Sequence, residues 1–475
     1  VEGGHKFDLS DITMPKDYLA PNTENAELGD LEDEYDDSEN EESRDVLHSC
    51  FMSMVETLSK QAPETITQVQ SFVSELRRIS LLWDELWIST LGQHHGEISK
   101  RLTQLEAEIS KTEHNNSLTN EEKDQLIAEK HRIIIKPIVF ILEQLHAITS
   151  REPETPHEKA FQERYLDLIN EVLDKLKNPI NPHKPQDSWQ PLKILQCKLQ
   201  QRAHKRASFA LKMTDISPVL ASMRDTVIAM PGLTRNAVKK VTILSISLQV
   251  NVLPTKTKPK KLFFHGSDGH TYTYLFKGME DLHLDERIMQ FLTITNMMMA
   301  KSSDTSNHNI YRARHYSVIP LGLRSGLIRW VDGTTPMFSL YKRWQLREVA
   351  ITNMKQNSSN AVVLRPSELF YNKLNPLLKE HGVKNTDNRK EWPLAALKQV
   401  LKELMAETPS DLLARELWCR SVNAGAWWQV TKTYSYSVAV MSIIGYIIGL
   451  GDRHLDNVLI DLTSGEVIHI DYNVC

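Results

Sequence analysis

The chain has 475 residues, 41% hydrophobic and 25% charged, with a net charge of −5. That length predicts roughly two to four domains with room for sizeable cores, and so slight a charge carries no nucleic-acid footprint, so direct nucleic-acid contact is not expected. Four scattered cysteines (Cys50, Cys197, Cys419 and Cys475) have neither metal nor disulfide spacing, as in a reducing compartment. No signal peptide is legible, and the longest apolar stretch, 438–450, falls short of the ~20 residues that a transmembrane segment needs. A start without Met and a stop at Cys475 read as cuts in a longer protein.

Residues 1–45 carry Pro15, Pro21 and a dense acidic run, too poor in apolar surface to offset the entropy of ordering. A disordered segment is expected, either a solvated linker or an acidic docking tail with Ser38 and Ser43 as phosphorylation targets. From 46 to 210 the pattern is helical. Phe72, Leu76, Ile79, Leu82, Trp83 and Leu86 recur at three- and four-residue steps and predict one apolar face, continued by Ile98, Leu102, Leu105 and Ile109. The run 115–126 predicts a loop in which Thr119 caps the next helix. Amphipathic stretches at 133–148 and 161–176 follow. Pro179, Pro182 and Pro185 break the pattern, and Ser188-Trp189 opens a last helix to about Arg206. Four antiparallel helices with short connections predict a bundle.

From about 238 strands are predicted. Residues 241–248 are rich in β-branched side chains, and a linker with Pro254 and Pro259 leads into Leu262-Phe263-Phe264. Gly266, Ser267, Asp268 and Gly269 predict a hairpin turn before a return strand at 271–277. Glycines there let the backbone approach a phosphate with its N–H groups directed at it, although many hairpin turns share this composition. Lys277 closes the return strand, and Glu280 and Asp285 follow at the head of a helix. A strand Lys beside a helix carboxylate fixes a cation on nucleotide phosphates; the alternative is a surface ion pair of little worth. Met297, Met298 and Met299 read as core filler, and 301–309 as a loop. Two buried strands are expected at 316–321 and 326–331, where Trp330, on sequence alone, is equally a core residue.

Residues 335–436 read as helical, with surface loops at 356–360 and 381–391 and a helix opening at Trp392-Pro393-Leu394. The stretch 438–450 is apolar nearly all round, which predicts burial. It runs into Gly451-Asp452-Arg453-His454-Leu455-Asp456-Asn457. Two short β-type runs, 458–461 and 466–470, flank Thr463-Ser464-Gly465 and predict a hairpin that returns Asp471 to Asn457. An oxygen from each can hold Mg²⁺ or Mn²⁺, and Asp452 stands where it can accept a proton from an attacking hydroxyl. This is the layout of a phosphoryl-transfer site that uses ATP.

The order Asp452, Asn457, Asp471 resembles a kinase catalytic loop, and Asp452-Arg453-His454 inverts the His-Arg-Asp of ordinary protein kinases. In this the chain resembles the phosphatidylinositol-3-kinase-related family of lipid kinases and giant protein kinases. The resemblance implies an α+β fold. Residues 1–45 would be an acidic segment, 46–210 a helical bundle of the rapamycin-binding type, 211–331 a kinase N-lobe, and 332–475 an incomplete C-lobe ending just after the metal-binding Asp. It implies that Asp452 is the base, that His454 stabilises transition-state charge and that Arg453 braces the loop. It implies that Asn457 and Asp471 hold metal, and that Lys277 contacts phosphates, oriented by Asp285 or, second, Glu280. Gly266, Ser267 and Gly269 would also meet phosphates. Trp330 and Val331 would meet adenine at a hinge between lobes, with the Trp330 ring stacked on the base.

The run 75–87, with Trp83 and Trp87, resembles the first helix of the bundle that precedes the kinase domain in TOR-like relatives, where the bundle gates substrates. Trp83 and Trp87 read as core, while Trp189 falls either in the core or in a ligand cleft. The long charged stretch 100–130 departs from that pattern. The closing His469-Ile470-Asp471-Tyr472-Asn473 resembles the branch acting in nonsense-mediated mRNA decay, with Asn473 where Gly is usual. That branch implies transfer to Ser or Thr before Gln, an RNA helicase as substrate, regulatory subunits of a large complex, and a cytoplasmic location with the nucleus also open. A lipid kinase and an inactive scaffold stay open as alternatives.

Overall fold

The computed structural model describes residues 38–474, apart from 116, 207–210, 234–239, 256, 303–310, 357–362 and 384–387. The acidic segment up to residue 37, most of the 301–309 loop and Cys475 therefore lie outside the described residues. Among those described, one compact unit runs up to His283 and adds Ser317–Trp330; the second takes Leu284–Tyr316 and everything from Val331. Compactness thus does not separate the bundle from the strands that follow it, and it assigns the helix after Lys277 to the second unit from Leu284 onward.

The first unit opens with the helix Ser38–Gln61, so residues 38–45 are helical where disorder was expected. An acid-rich stretch suits a helix N-terminus, where the dipole favours carboxylates. The expected continuous face from Phe72 to Leu86 is instead divided between the helices Pro63–Ser80 and Trp83–Gln93. Leu81 is extended (φ −138°, ψ 106°) and ends the first. The break serves two cores: Phe72, Leu76, Ile79 and Leu82 pack against the sheet, while Trp87 and Leu91 pack into the bundle. The bundle continues through His95–Glu113, Asn120–Thr149, Pro156–Lys177 and Pro185–Arg206. As predicted, Thr119 caps its helix: its hydroxyl accepts from the Glu122 N–H while the Glu122 carboxylate accepts from the Thr119 N–H. Trp189 is 1% exposed and joins Trp87 in the bundle core, so its ring does not open on a cleft.

The sheet of this unit is antiparallel and comprises β1 (Leu211–Lys212), β2 (Ile243–Ile246), β3 (Gln249–Val252), β4 (Lys260–Gly266), β5 (Thr271–Gly278), β6 (Val318–Gly322) and β7 (Ser325–Arg329). The order is β1-β3-β4-β5-β7-β6, with β2 also paired to β4. The run 241–248, expected as one strand, ends β2 at Ile246 and turns at Ser247-Leu248 into β3. Period-two alternation sends Leu262, Phe264, Tyr274, Phe276 and Leu327 into the core beneath the helix Pro63–Ser80. Lys261, Phe263, Leu275, Lys277 and Ile328 fall on the other face.

The second unit has the helices His283–Ser302, Met337–Gln356, Pro366–Glu380, Leu394–Glu407, Leu412–Arg420 and Ala424–Ile448. Its strands are β8 (Thr334–Pro336), β9 (Leu450–Gly451), β10 (Val458–Asp461), β11 (Val467–His469) and β12 (Asn473–Val474). They form the ladders β11-β10-β8 and β12-β9. Two burial expectations fail here. Met297 and Met298 are 59% and 66% exposed rather than core filler, and Ile443, Tyr446 and Ile447 leave one side of the apolar helix open at 64%, 88% and 67%. Composition counts apolar side chains all round a helix, but only the side bearing Val440, Met441 and Ile444 meets a partner among the described residues.

Candidate active site

The helix Ala424–Ile448 ends on Gly449 in the left-handed region, which releases the chain sharply into β9. β10 and β11 form the predicted hairpin, with Val458 opposite His469, and the Ile470 N–H extends the ladder to the Asn457 carbonyl at 3.1 Å. Asn473 pairs with Gly451 across β12 and β9, closing the loop from its other side. These two ladders bring Asp452, Asn457 and Asp471 together, although 19 positions separate the first from the last.

Asn457 is 5% exposed. Its Nδ2 donates to the Asp452 carbonyl at 3.0 Å, which fixes the amide orientation and leaves Oδ1 as the outward acceptor. Asp452 and Asp471 have φ of 51° and 50°, left-handed conformations that non-glycine residues rarely hold. Asn473, standing where Gly was expected, is in ordinary extended backbone; the left-handed position is Asp471. Arg453 supports both acids from behind: its guanidinium donates to the carbonyls of Gly451 (2.7 Å), Asn457 (3.4 Å), Ile470 (3.0 Å) and Asp471 (2.5 Å). It also lies 5.7 Å from the Tyr472 ring centre. Burial, with the Arg453 charge adding to it, pushes His469 down to about 4, so the ring beside Arg453 is neutral. His454 accepts the Asp456 N–H at Nδ1 (3.2 Å), which places the proton of the neutral ring on Nε2. Asp285 lies in this unit as well, its carboxylate accepting from the Tyr472 N–H at 3.5 Å.

Among the described residues no cluster of three His, Cys, Asp or Glu side chains could cage a metal. An amide oxygen and a carboxylate nevertheless suit Mg²⁺, which keeps waters and phosphate oxygens in its shell.

In the first unit Lys277 Nζ stands 2.9 Å from Glu280 Oε2, so Glu280, placed second by the sequence, is a carboxylate at its side. The β4–β5 register pairs His265 with Thr271 at the turn and Lys260 with Phe276 at the far end. Lys277 and the 266–269 turn therefore sit at opposite ends of the hairpin, roughly 20 Å apart at ~3.3 Å per residue. One triphosphate cannot reach both. The turn's own hydrogen bonds point the same way: the N–H groups of Gly266, Ser267 and Gly269 donate to the carbonyls of His270, Thr242 and Gly266. Glycine at 266 is required by packing, since a Cβ there would lie 2.5 Å from the Asp268 carboxylate and 2.8 Å from the Tyr272 ring. The described residues next to the Lys277 end are those of the β3–β4 connection, 253–255 and 257–259, with Thr255 and Lys258. The Pro-bracketed, Lys-rich composition of 254–261 was its available signal.

Trp330 is half-buried, not a core residue, and its N–H donates to the Thr273 carbonyl at 2.9 Å. Lys261 Nζ lies 3.9 Å from its ring centre. Val331, in the second unit, accepts the Thr334 hydroxyl at its carbonyl.

Residues 271–475 match the family described as phosphatidylinositol 3- and 4-kinase. Over 440 residues, 91% of this chain, the sequence is 52% identical to serine/threonine-protein kinase SMG1 of Danio rerio, covering 12% of that protein. Identity is 48% over 90% of the chain to serine/threonine-protein kinase Smg1 of Drosophila melanogaster, of which it covers 13%. It is 29% over 90% of the chain to serine/threonine-protein kinase TOR of Arabidopsis thaliana, of which it covers 15%. The chain thus spans about an eighth of the length of the first two. No helix among the described residues is long and apolar enough to cross a membrane. The match from β5 through the catalytic loop, with identity that continues through the bundle, makes the chain similar to the phosphatidylinositol 3- and 4-kinase family and to the Smg1 proteins.

Proposed function

We propose that the protein containing this chain transfers the γ-phosphate of ATP to Ser or Thr hydroxyls of a protein, at sites followed by Gln. The observation that carries this is the gathering of Asp452, Asn457 and Asp471 by two ladders, with Arg453 bonded behind them to four loop carbonyls. Asp452 accepts the proton of the attacking hydroxyl. Asn457 Oδ1 and the Asp471 carboxylate hold Mg²⁺ or Mn²⁺, which, when bound, neutralises charge on the phosphates. His454 donates from Nε2 to a phosphate oxygen as negative charge develops, and Lys277, held by Glu280, neutralises the nucleotide phosphates. The 253–259 connection, beside Lys277, is the phosphate-facing loop in this reading, and Trp330 provides the aromatic shelf for adenine. Similarity to proteins named Smg1 supports an RNA helicase of nonsense-mediated decay as substrate, regulatory subunits as partners and a cytoplasmic site of action.

The test uses the full-length protein, with Asp471→Ala as control, and measures ³²P transfer to a Ser-Gln peptide, its Ser-Ala counterpart and phosphatidylinositol vesicles. Label on the Ser-Gln peptide alone, lost in the control, is expected. Label on lipid, or equal label on both peptides, overturns the assignment.

A further inference from the structure

Lys260 is the first residue of β4 and is 2% exposed, an unusual place for an ammonium group. A buried charge of this kind is tolerated only when it is paired and hydrogen-bonded. Its Nζ lies 2.9 Å from Glu85 Oε2 and 3.2 Å from the Ser80 carbonyl. Glu85 Oε2 also accepts the Leu82 N–H at 3.0 Å, so one carboxylate oxygen both caps the helix Trp83–Gln93 and neutralises Lys260. The partners therefore come from the break where the chain leaves the sheet-packed helix and enters the bundle.

Two further contacts fasten the same break to the sheet. A Cβ on Gly278 would lie 2.8 Å from Ser80 Cβ and 3.0 Å from its carbonyl oxygen, so β5 ends directly against Ser80. Arg77 donates to the Leu321 carbonyl on β6 at 2.9 Å. Lys260 faces Phe276 across the ladder, next to Lys277, and directly follows the 253–259 connection. The break thus touches the strand ends on both sides of the group proposed above to neutralise nucleotide phosphates.

We infer that Lys260 is a positioning residue, whose buried ion pair with Glu85 sets Lys277 and the 253–259 connection against the first turn of the bundle. Phosphate recognition is thereby coupled to the bundle: a displacement of the helix Trp83–Gln93 moves the end of β4 and β5. This rests on Lys277 acting at the nucleotide phosphates, so the experiment must separate the two ideas.

In the full-length protein, Lys260→Met, Glu85→Gln and the double variant are compared with Lys277→Met. KM for ATP, kcat, adenosine affinity and melting temperature are measured for each. The expected result is a KM for ATP raised at least about fivefold in either single variant, with adenosine affinity unchanged and the double variant no worse than the singles. Adenosine lacks the phosphates, so a general loss of fold would lower its affinity too. Glu85→Gln keeps an acceptor for the Leu82 N–H and covers the case in which Lys260→Met does not fold. A lowered melting temperature with an unchanged KM for ATP would reduce Lys260 to a structural residue and overturn the inference. If Lys277→Met leaves KM for ATP and kcat unaltered, the assignment of Lys277 fails, and the Lys260 inference falls with it.

Discussion

Asn457 donates from Nδ2 to the carbonyl of Asp452 at 3.0 Å, and this single bond fixes both partners. It holds Asp452 in a left-handed conformation (φ 51°) and leaves the amide oxygen as the outward group. An aspartate at 457 cannot donate, and its carboxylate would face a carbonyl oxygen. Asn457→Asp and Asn457→Ala should both lower kcat by about two orders of magnitude or more, with little change in melting temperature for Ala. Phosphotransfer at varied Mg²⁺ checks this; the metal requirement should rise in Asn457→Ala.

Arg453 joins four carbonyls that belong to two separate segments. Lysine has one ammonium and no planar fork, so Arg453→Lys should not rescue Arg453→Met. Both should lose stability by about 2 kcal/mol or more and most of the activity, measured by denaturant titration and turnover. A near-native Arg453→Lys would refute the bracing role.

Tyr472 is 5% exposed, and among the described residues its hydroxyl has no hydrogen-bond partner. Burial raises its pKa far above the ordinary phenol, so it stays neutral and contributes only an unsatisfied polar atom. Tyr472→Phe removes that atom without changing shape and should stabilise the fold by about 1 kcal/mol. A destabilised variant would point to a polar partner for the hydroxyl.

At the end of the bundle His183 sits between Glu113 (2.9 Å) and Asp124 (2.8 Å). Hydrogen bonds to Glu113 and then Asp124 raise its pKa above the usual value for histidine. The sign follows: the folded state binds the proton more tightly, so the contribution is complete below the unfolded pKa of 6.5 and is lost as pH rises through the folded value. Melting temperature should fall modestly across that window, and His183→Gln should flatten the trend. The ring titration, followed by NMR, should fall back towards 6.5 in Glu113→Gln.

The 266–269 turn lies at the far end of the β4–β5 hairpin from Lys277. Ser267→Ala and Asp268→Ala should therefore leave KM for ATP within about twofold, whereas Thr255→Ala should raise it several-fold. The reverse pattern would restore the turn as the phosphate loop.

Much of this protein was legible residue by residue. The spacing of Asp452, Asn457 and Asp471, the β-type runs between them and the Thr119–Glu122 cap are local signals, because hairpin chemistry and helix capping act over a few positions. The sequence alone was enough to place a hairpin between Asn457 and Asp471, an alternating sheet and a helical bundle. It did not decide which end of a hairpin lies next to which loop. That choice belongs to the register between distant segments, and it set the 266–269 turn apart from Lys277. Nor could periodicity find the break after Ser80, because one run of apolar residues serves two cores that are both built from later parts of the chain. The same limit applies to the apolar helix Ala424–Ile448 and to Met297 and Met298. A side chain's apolarity is local, but whether it is buried depends on the surface brought against it, and only the tertiary structure decided that.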